Sequence, residues 1–397
     1  MLDWQGHGVA FCGRRWGKTE IATIKLVTSA MQRPGLYWWV GLSWRSASMK
    51  RAWRLLKRYT GRLWRAMGEK PDNFIRESEK ELRLPGGGEI WLRTAERPDS
   101  LAGEGVCGVV LDEFSLMAEN VWTEYVSSTL LDYDGWALFL GVPKGRNWAF
   151  HLWSAARTRS KWRAWQFTSY DNPKIARAAI DELCSTLPER LVRQEILAEI
   201  IDDSAAVFRN IRQLAVSQTQ PAPIAGHRYS IGVDWGRSGD YTVLTVFDAT
   251  TRQVCYLDRF TGLPFETQLG RVTAAIEQWQ PERTVLELNS FGQPLFEQLQ
   301  RRRLPGQLIG FTTTNSNKAQ LVDALALALE KREIELLNHD VLIAELEAYE
   351  AETLPSGLIR YGAPAGLHDD CVMSLLLAFG PNAHGTPAEL RRRGWVR

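Results

Sequence analysis

The chain has 397 residues, 45% of them apolar and 24% charged, which suits two or three domains with cores of their own and excludes a disordered protein. Lysine and arginine number 48 against 46 acids, a net charge of +2, so no global field drives the chain onto nucleic acid and any such contact must come from local patches. The five cysteines, Cys12, Cys107, Cys184, Cys255 and Cys371, form no C-x-x-C pair, which argues against a disulfide framework or a structural zinc and for a reducing cytosol.

In chain order, the opening MLDWQGHGVAFCG lacks a basic region followed by a long apolar run, so neither a signal peptide nor a spanning helix is predicted. Up to about residue 150, short apolar runs alternate with helical patterns. GVAFC is followed by a helix over Ile21 to Ala30, LYWWVGL by a longer one over Ser46 to Met67, and then come EIWLRT, GVVLDEF and WALFLGV. That alternation predicts a largely parallel sheet flanked by helices. From about 151 to 225 the pattern reads mostly helical and polar, ending in SQTQPAPIAGH, whose prolines and small residues suit a linker. Three strands with short turns follow, RYSIGVDW, YTVLTVFD and QVCYLDRF. Strands at TVLEL and QLIGF then alternate with helices, a ribonuclease-H-like order. The chain ends in a basic tail, RRRGWVR, and its 17 tryptophans are read mostly as packing residues rather than base-stacking platforms.

The first chemical signal is VAFCGRRWGKTE, a phosphate-loop sequence one residue short of G-x-x-x-x-G-K-[ST]. Gly13 and Gly17 supply the turn, Lys18 the charge for terminal phosphates, and Thr19 a hydroxyl for Mg²⁺ at a helix N-terminus. Such a site also needs an acid-terminated strand, and GVCGVVLDEFSLM provides Asp112 for the magnesium shell and Glu113 as the base that orients or deprotonates water.

This pair resembles the large terminase subunit of tailed phages, which often carries a shortened loop of the form [SG]-R-x-x-G-K-[ST]. The similarity runs through LRLPGGGEIWLRTAERPDSLAGEGVCGVVLDEFSLM to LFLGVPKGRNWAF, similar to the family's coupling motif, with Val142 in place of the frequent Ser or Thr before proline. The resemblance implies a P-loop NTPase (RecA/ASCE-like) domain that binds ATP through Gly13, Arg14, Arg15, Gly17, Lys18, Thr19 and Asp112. Arg14 and Arg15 become candidates for stabilising transition-state charge, in cis or toward a neighbouring subunit. The family's upstream glutamine segment is reduced here, with Gln5 a weak stand-in.

Two-metal phosphodiester cleavage needs three or four carboxylates from separate element ends. Asp234 ends a strand in SIGVDWGRSGDYT, Glu287 ends another in TVLELNSFG, and Asp369 and Asp370 open the last helix in GLHDDCVMSLLLAF. Their order resembles the terminase nuclease domain. The resemblance implies Asp234, Glu287 and one of Asp369 and Asp370 as catalytic ligands of Mg²⁺ or Mn²⁺, with Asp240 and His368 in an outer shell. Lys318 is read either as a phosphate contact or as a solvated lysine at a helix start.

Between Arg45 and Arg65 stand eight basic residues and no acid (Arg45, Lys50, Arg51, Arg54, Lys57, Arg58, Arg62, Arg65). Met49, Ala52, Trp53, Leu56, Tyr59 and Leu63 line one helix face, so the other is read either as a surface for DNA phosphates or as a solvated basic face.

The sequence therefore reads as an ATPase domain (1–155), a helical linker (156–225), a ribonuclease-H-like nuclease domain (226–380) and a basic tail (381–397). It points to a phage or prophage motor subunit that cuts concatemeric double-stranded DNA and drives it into procapsids. The resemblance implies a homo-oligomeric ring, a small terminase subunit and a portal protein as partners, with no membrane, in the host cytoplasm; the free subunit could be monomeric. The rivals are a DNA-repair helicase-nuclease, for which the chain shows no further helicase motif, and a relic with decayed sites, against which the intact acids and Lys18 argue.

Overall fold

Unbroken apolar runs such as VAFC, YWWV and VVL suit strands covered on both faces. In the computed structural model these runs lie inside a sheet, with Val9 and Phe11 facing one apolar cluster and Ala10 and Cys12 facing the other. The structure describes residues 1–201, 207–236, 240–289, 291–354 and 359–384, and it falls into two units. One is built chiefly from Met1–Ser185 with Arg190–Asp203, the other chiefly from Ser204–Glu352 with Ile359–Arg397.

Among the described residues the first unit carries an eight-stranded sheet. Its strands are β1 (His7–Cys12), β2 (Gly35–Gly41), β3 (Ile75–Arg76), β4 (Glu81–Arg83), β5 (Gly88–Thr94), β6 (Gly108–Asp112), β7 (Trp136–Gly141) and β8 (Trp162–Phe167), in the spatial order β3-β4-β5-β2-β6-β7-β1-β8. The six strands from β5 to β8 in that order pair in parallel. Helices α1 (Lys18–Gln32) and α2 (Ala47–Ala66) cover one face and the helix Trp148–Ala156 packs on the other. β7 separates β1 from β6, so the ends of three neighbouring strands open onto one rim: the phosphate-loop sequence, the turn after Gly141, and Asp112.

One stretch differs from the sequence reading. The mostly helical segment expected over 156–225 contains β8, which pairs along its whole length with β1. Its sequence, WRAWQF, is broken by Arg163 and Gln166 and gives no continuous apolar run, in keeping with a half-buried strand at the sheet edge. Helices at Arg177–Ser185 and Glu189–Leu191 and a π-helical turn at Val192–Ile196 follow. The expected basic tail lies, from residue 385 on, outside the described residues.

In the second unit β9 (Tyr229–Asp234), β10 (Thr242–Asp248) and β11 (Gln253–Phe260) form an antiparallel meander. β12 (Arg283–Glu287) then pairs in parallel with β9, and β13 (Gln307–Phe311) with β12, giving the order β11-β10-β9-β12-β13. The final helix, Asp370–His384, lies across β9 and is held at close range. A Cβ on Gly232 would come well inside 3.0 Å of the Ser374 carbonyl and the Ala378 amide. Ser230 Oγ donates to Ala378 O at 2.7 Å, and the Thr245 and Ser374 hydroxyls pair at 2.7 Å. This docking sets the start of the helix beside the end of β9.

Candidate active sites

In the first unit, the chain leaves β1 at Cys12, turns, and enters α1 at Lys18 with Gly17 in the left-handed region at φ 117°. Lys18 Nζ donates to its own loop, to Cys12 O at 3.1 Å and Gly13 O at 3.2 Å. Burial lowers its pKa, while Cys12, Asp112 and Glu195 favour its charge and Arg14 opposes it. Asp112 at the end of β6 is 1% exposed, and its Oδ2 has no hydrogen-bond partner. Burial, then the adjacent Glu113, push the carboxyl up to about 7, against the charges of Lys18 and Arg51. A buried carboxylate with an orphaned oxygen beside a lysine and a helix N-terminus is a hard-oxygen donor of the kind magnesium takes. Glu113 follows at φ 62° in the left-handed region.

The two arginines of the loop part company. Arg14 Nε donates to the Glu195 carboxylate, and its amide donates to Glu195 O at 2.6 Å. Lys144, three residues past the end of β7, donates to the other oxygen of Glu195 at 2.5 Å. Arg15, at φ 61°, accepts at its carbonyl from Asn172 Nδ2 at 2.6 Å. It lines a cavity of about 570 Å³ together with Trp16, Gly17, Lys18, Thr19 and Arg51. Trp16 stacks on Phe167 with ring centroids 4.4 Å apart. Val142, which stands where the family often has Ser or Thr, offers its carbonyl to Ser115 Oγ at 2.7 Å.

The basic helix is more engaged than its sequence suggests. Lys57 pairs with Glu77 and Arg58 with Glu20, each at 3.0 Å, and Arg51 turns toward the cavity.

In the second unit, the register of β12 on β9 aligns Leu286 with Val233, which sets Glu287 beside Asp234 at the ends of two central parallel strands. Asp234 is 8% exposed. Its carboxyl is raised well above the usual range by burial, then by the charge of Glu287 and a hydrogen bond with it, and by Asp370 and Asp369. Thr313 Oγ1 donates to Glu287, while Thr313 and Asn289 exchange backbone and amide hydrogen bonds. Asp369 accepts from Lys318 Nζ at 3.0 Å. His368 Nδ1 lies 3.5 Å from Asp370 and 3.7 Å from the more exposed Asp240. Asp370 Oδ2 makes no hydrogen bond, and burial, then Glu345, lift the Asp370 carboxyl to about 6.

Asp234, Glu287, Asp369 and Asp370 thus share one electrostatic neighbourhood, with Asp240 at its edge. As the side chains stand, no three His, Cys, Asp or Glu among the described residues already surround a common point in the manner of metal ligands. The donor set nonetheless suits a divalent cation. Mutually repelling carboxylates around a buried aspartate, one with an orphaned oxygen, gain joint ionisation only from an added positive charge.

Four residues at these sites escaped the sequence reading. Lys144 stood in the quoted GVPKGR without a role. Glu195 sits in VRQEI, an amphipathic pattern with no local mark of function. Glu345 accepts from Cys371 N at 2.8 Å and Val372 N at 3.4 Å, capping the last helix from a different element. Thr313 becomes a partner of Glu287 only through the pairing of β12 with β13.

Residues 10–213 match the family model described as terminase large subunit, T4likevirus-type, N-terminal, and residues 231–379 match the terminase RNaseH-like domain. The terminase large subunit of Thermus phage G20c is 28% identical over 418 residues, spanning 94% of this chain and 84% of that protein. The structure of the large terminase from another thermophilic bacteriophage superposes with a TM-score of 0.59 at 14% identity, over 96% of this chain and 94% of that one. That same phage protein in complex with ATP-gamma-S gives 0.56 at 13% identity, over 94% and 93%, and both show a shared fold.

Proposed function

The chain belongs to the large terminase subunit family, and from that premise we propose that its first unit hydrolyses ATP to drive double-stranded DNA into a procapsid while its second cuts the concatemer. The observation that carries this reading is the occurrence, in separate units, of two buried strand-end aspartates with acidic neighbours. Asp112 faces Lys18 across a phosphate loop, and Asp234 is joined to Glu287.

In the first unit Lys18 and the amides of Gly13 to Thr19 receive the triphosphate of ATP. Thr19 and Asp112 would hold Mg²⁺, and Glu113 orients the attacking water and takes its proton. Arg14 and Arg15 face the charge that spreads over the transferring phosphoryl group. In the second unit Asp234, Glu287, Asp369 and Asp370 would hold Mg²⁺ or Mn²⁺, with Asp240 at the margin. When bound, such ions activate water and stabilise the leaving oxygen of a phosphodiester. Lys318, held on Asp369, presents a cation to the DNA backbone, and His368 fixes Asp370. Conversion of ATP energy into movement of DNA calls for a ring of subunits, with the portal and a small terminase subunit as partners.

The test is separable by site. Lys18→Ala should lower DNA-stimulated ATP hydrolysis by about 100-fold or more, because the lysine stabilises charge that develops on the phosphates. Asp234→Ala should abolish plasmid cleavage in Mg²⁺ and in Mn²⁺. Wild-type rates in either variant would remove the corresponding assignment.

A further inference from the structure

A carboxylate outside the phosphate loop pairs with one cation of the loop and with another that follows β7. Glu195 is 7% exposed and receives two cationic donors, Arg14 Nε on one oxygen and Lys144 Nζ on the other. The segment carrying it arrives after the helices that follow β8, yet it belongs to the same unit as the loop. Three positive side chains, Arg14, Lys18 and Lys144, gather where β1 and β7 end. Like charges so placed repel one another unless an anion lies among them. Glu195 is that anion for two of them by direct contact, and it favours the charge of the third.

The geometry of each contact favours a positioning role. Arg14 is bonded through Nε while its side chain stays 67% exposed, so the outer fork of the guanidinium remains free to meet another oxyanion. Lys144 is the first polar side chain after Gly141, Val142 and Pro143, and it extends from the strand that lies between the loop and Asp112. The first ionisable side chain past the strand end is thus Lys144, and its charge is held on Glu195. The loop backbone is pinned independently. Ser169 Oγ donates to Arg14 O at 2.7 Å, Asn172 to Arg15 O, and Arg14 N to the Glu195 carbonyl. A change confined to the Glu195 carboxylate therefore leaves the loop's main-chain supports in place.

We propose that Glu195 is a positioning residue for ATP hydrolysis, acting through Arg14 and Lys144 by holding both cations beside the phosphate loop. The inference rests on the reading of this unit as an ATPase. A cation fixed in place before charge develops stabilises it without reorganisation, whereas a freely rotating one does not.

The experiment uses the full chain with Mg·ATP and duplex DNA, in wild type, Glu195→Gln, Glu195→Asp, Lys144→Met and the Glu195→Gln/Lys144→Met double variant. Glu195→Gln should bind Mg·ATP within about threefold of wild type by calorimetry while kcat falls about tenfold or more, the pattern of an interaction realised in the transition state. Glu195→Asp should recover part of the loss, and the double variant should be no slower than the slower single, as members of one unit are non-additive. Unchanged kcat in Glu195→Gln would overturn the proposal, as would kcat and affinity falling in parallel, or multiplying losses in the double variant. Lys18→Ala run alongside separates the two failures. An unaffected Lys18→Ala enzyme removes the ATPase reading itself, whereas a dead Lys18→Ala enzyme with a fully active Glu195→Gln enzyme removes only the role of Glu195.

Discussion

Gly13 and Gly17 are glycine for different reasons. Gly17 sits at φ 117° with open space around the position of a Cβ, so alanine there meets backbone strain alone. Gly13 is free of that constraint, but a Cβ would come well inside 3.0 Å of the Ile196 carbonyl and the Ser169 amide, which are main-chain atoms that cannot swing aside. Gly17→Ala should therefore cost about 1–2 kcal/mol of stability, the usual penalty for a left-handed non-glycine residue. Gly13→Ala should instead push the loop off the Ser169 and Ile196 segments and weaken nucleotide binding more than Gly17→Ala does. Calorimetric titration of both variants with ATP checks the ranking, and equal affinities would refute it. Glu195 adds a pH signature. Burial would raise its carboxyl, but the Lys144 charge and hydrogen bond, then those of Arg14, hold it at about 2, below the usual 4.5. A depressed acid contributes stability that is fully present above its unfolded value and is lost as pH falls through its folded one. Wild type should thus exceed Glu195→Gln in unfolding free energy by on the order of 3 kcal/mol near neutrality, and the gap should shrink between about pH 4.5 and 2. Denaturant titrations at several pH values give the difference directly. A gap independent of pH would contradict the ion-pair account.

At the scale of elements, the carboxylates proposed for the nuclease site are brought into one neighbourhood because the last helix lies nearly on the backbone of β9. Gly232 makes that approach possible, with Ser230 and Thr245 supplying buried hydrogen bonds to the helix. Gly232→Ala should lift the start of the helix, separate Asp369 and Asp370 from Asp234, and cost about 1–3 kcal/mol through overpacking. Plasmid cleavage should fall at least tenfold while ATP hydrolysis, housed in the other unit, stays within about twofold of wild type. The same elements explain what the sequence could tell. Period, strand order and the acids closing β6, β9 and β12 were readable because each is written in a short continuous stretch. β8 was not, since a half-buried edge strand of mixed polarity lacks the unbroken apolar run of its neighbours. Glu195, Lys144 and Glu345 were equally hidden, because their partners lie 181, 51 and 26 residues away and nothing local marks them. Nor did the run of basic residues from Arg45 to Arg65 reveal that Lys57 pairs with Glu77 or that Arg51 lines the cavity beside the phosphate loop.

Across the whole molecule, balanced charge fits a protein that grips duplex DNA and lets it go, since a strongly basic body would bind phosphates too tightly to release them in each cycle. Among the described residues no helix is long and apolar enough to cross a membrane. The division into units also has a genetic reading. Arg190–Asp203 travels with the first unit although it follows the helix that ends at Ser185. A recombination event that spliced a foreign nuclease half onto residue 186 would leave Arg14 and Lys144 without their counter-charge. A crossover beyond residue 201 would carry Glu195 along intact. Viable hybrids between related phages should therefore break on the far side of that stretch, where inheritance respects the electrostatics.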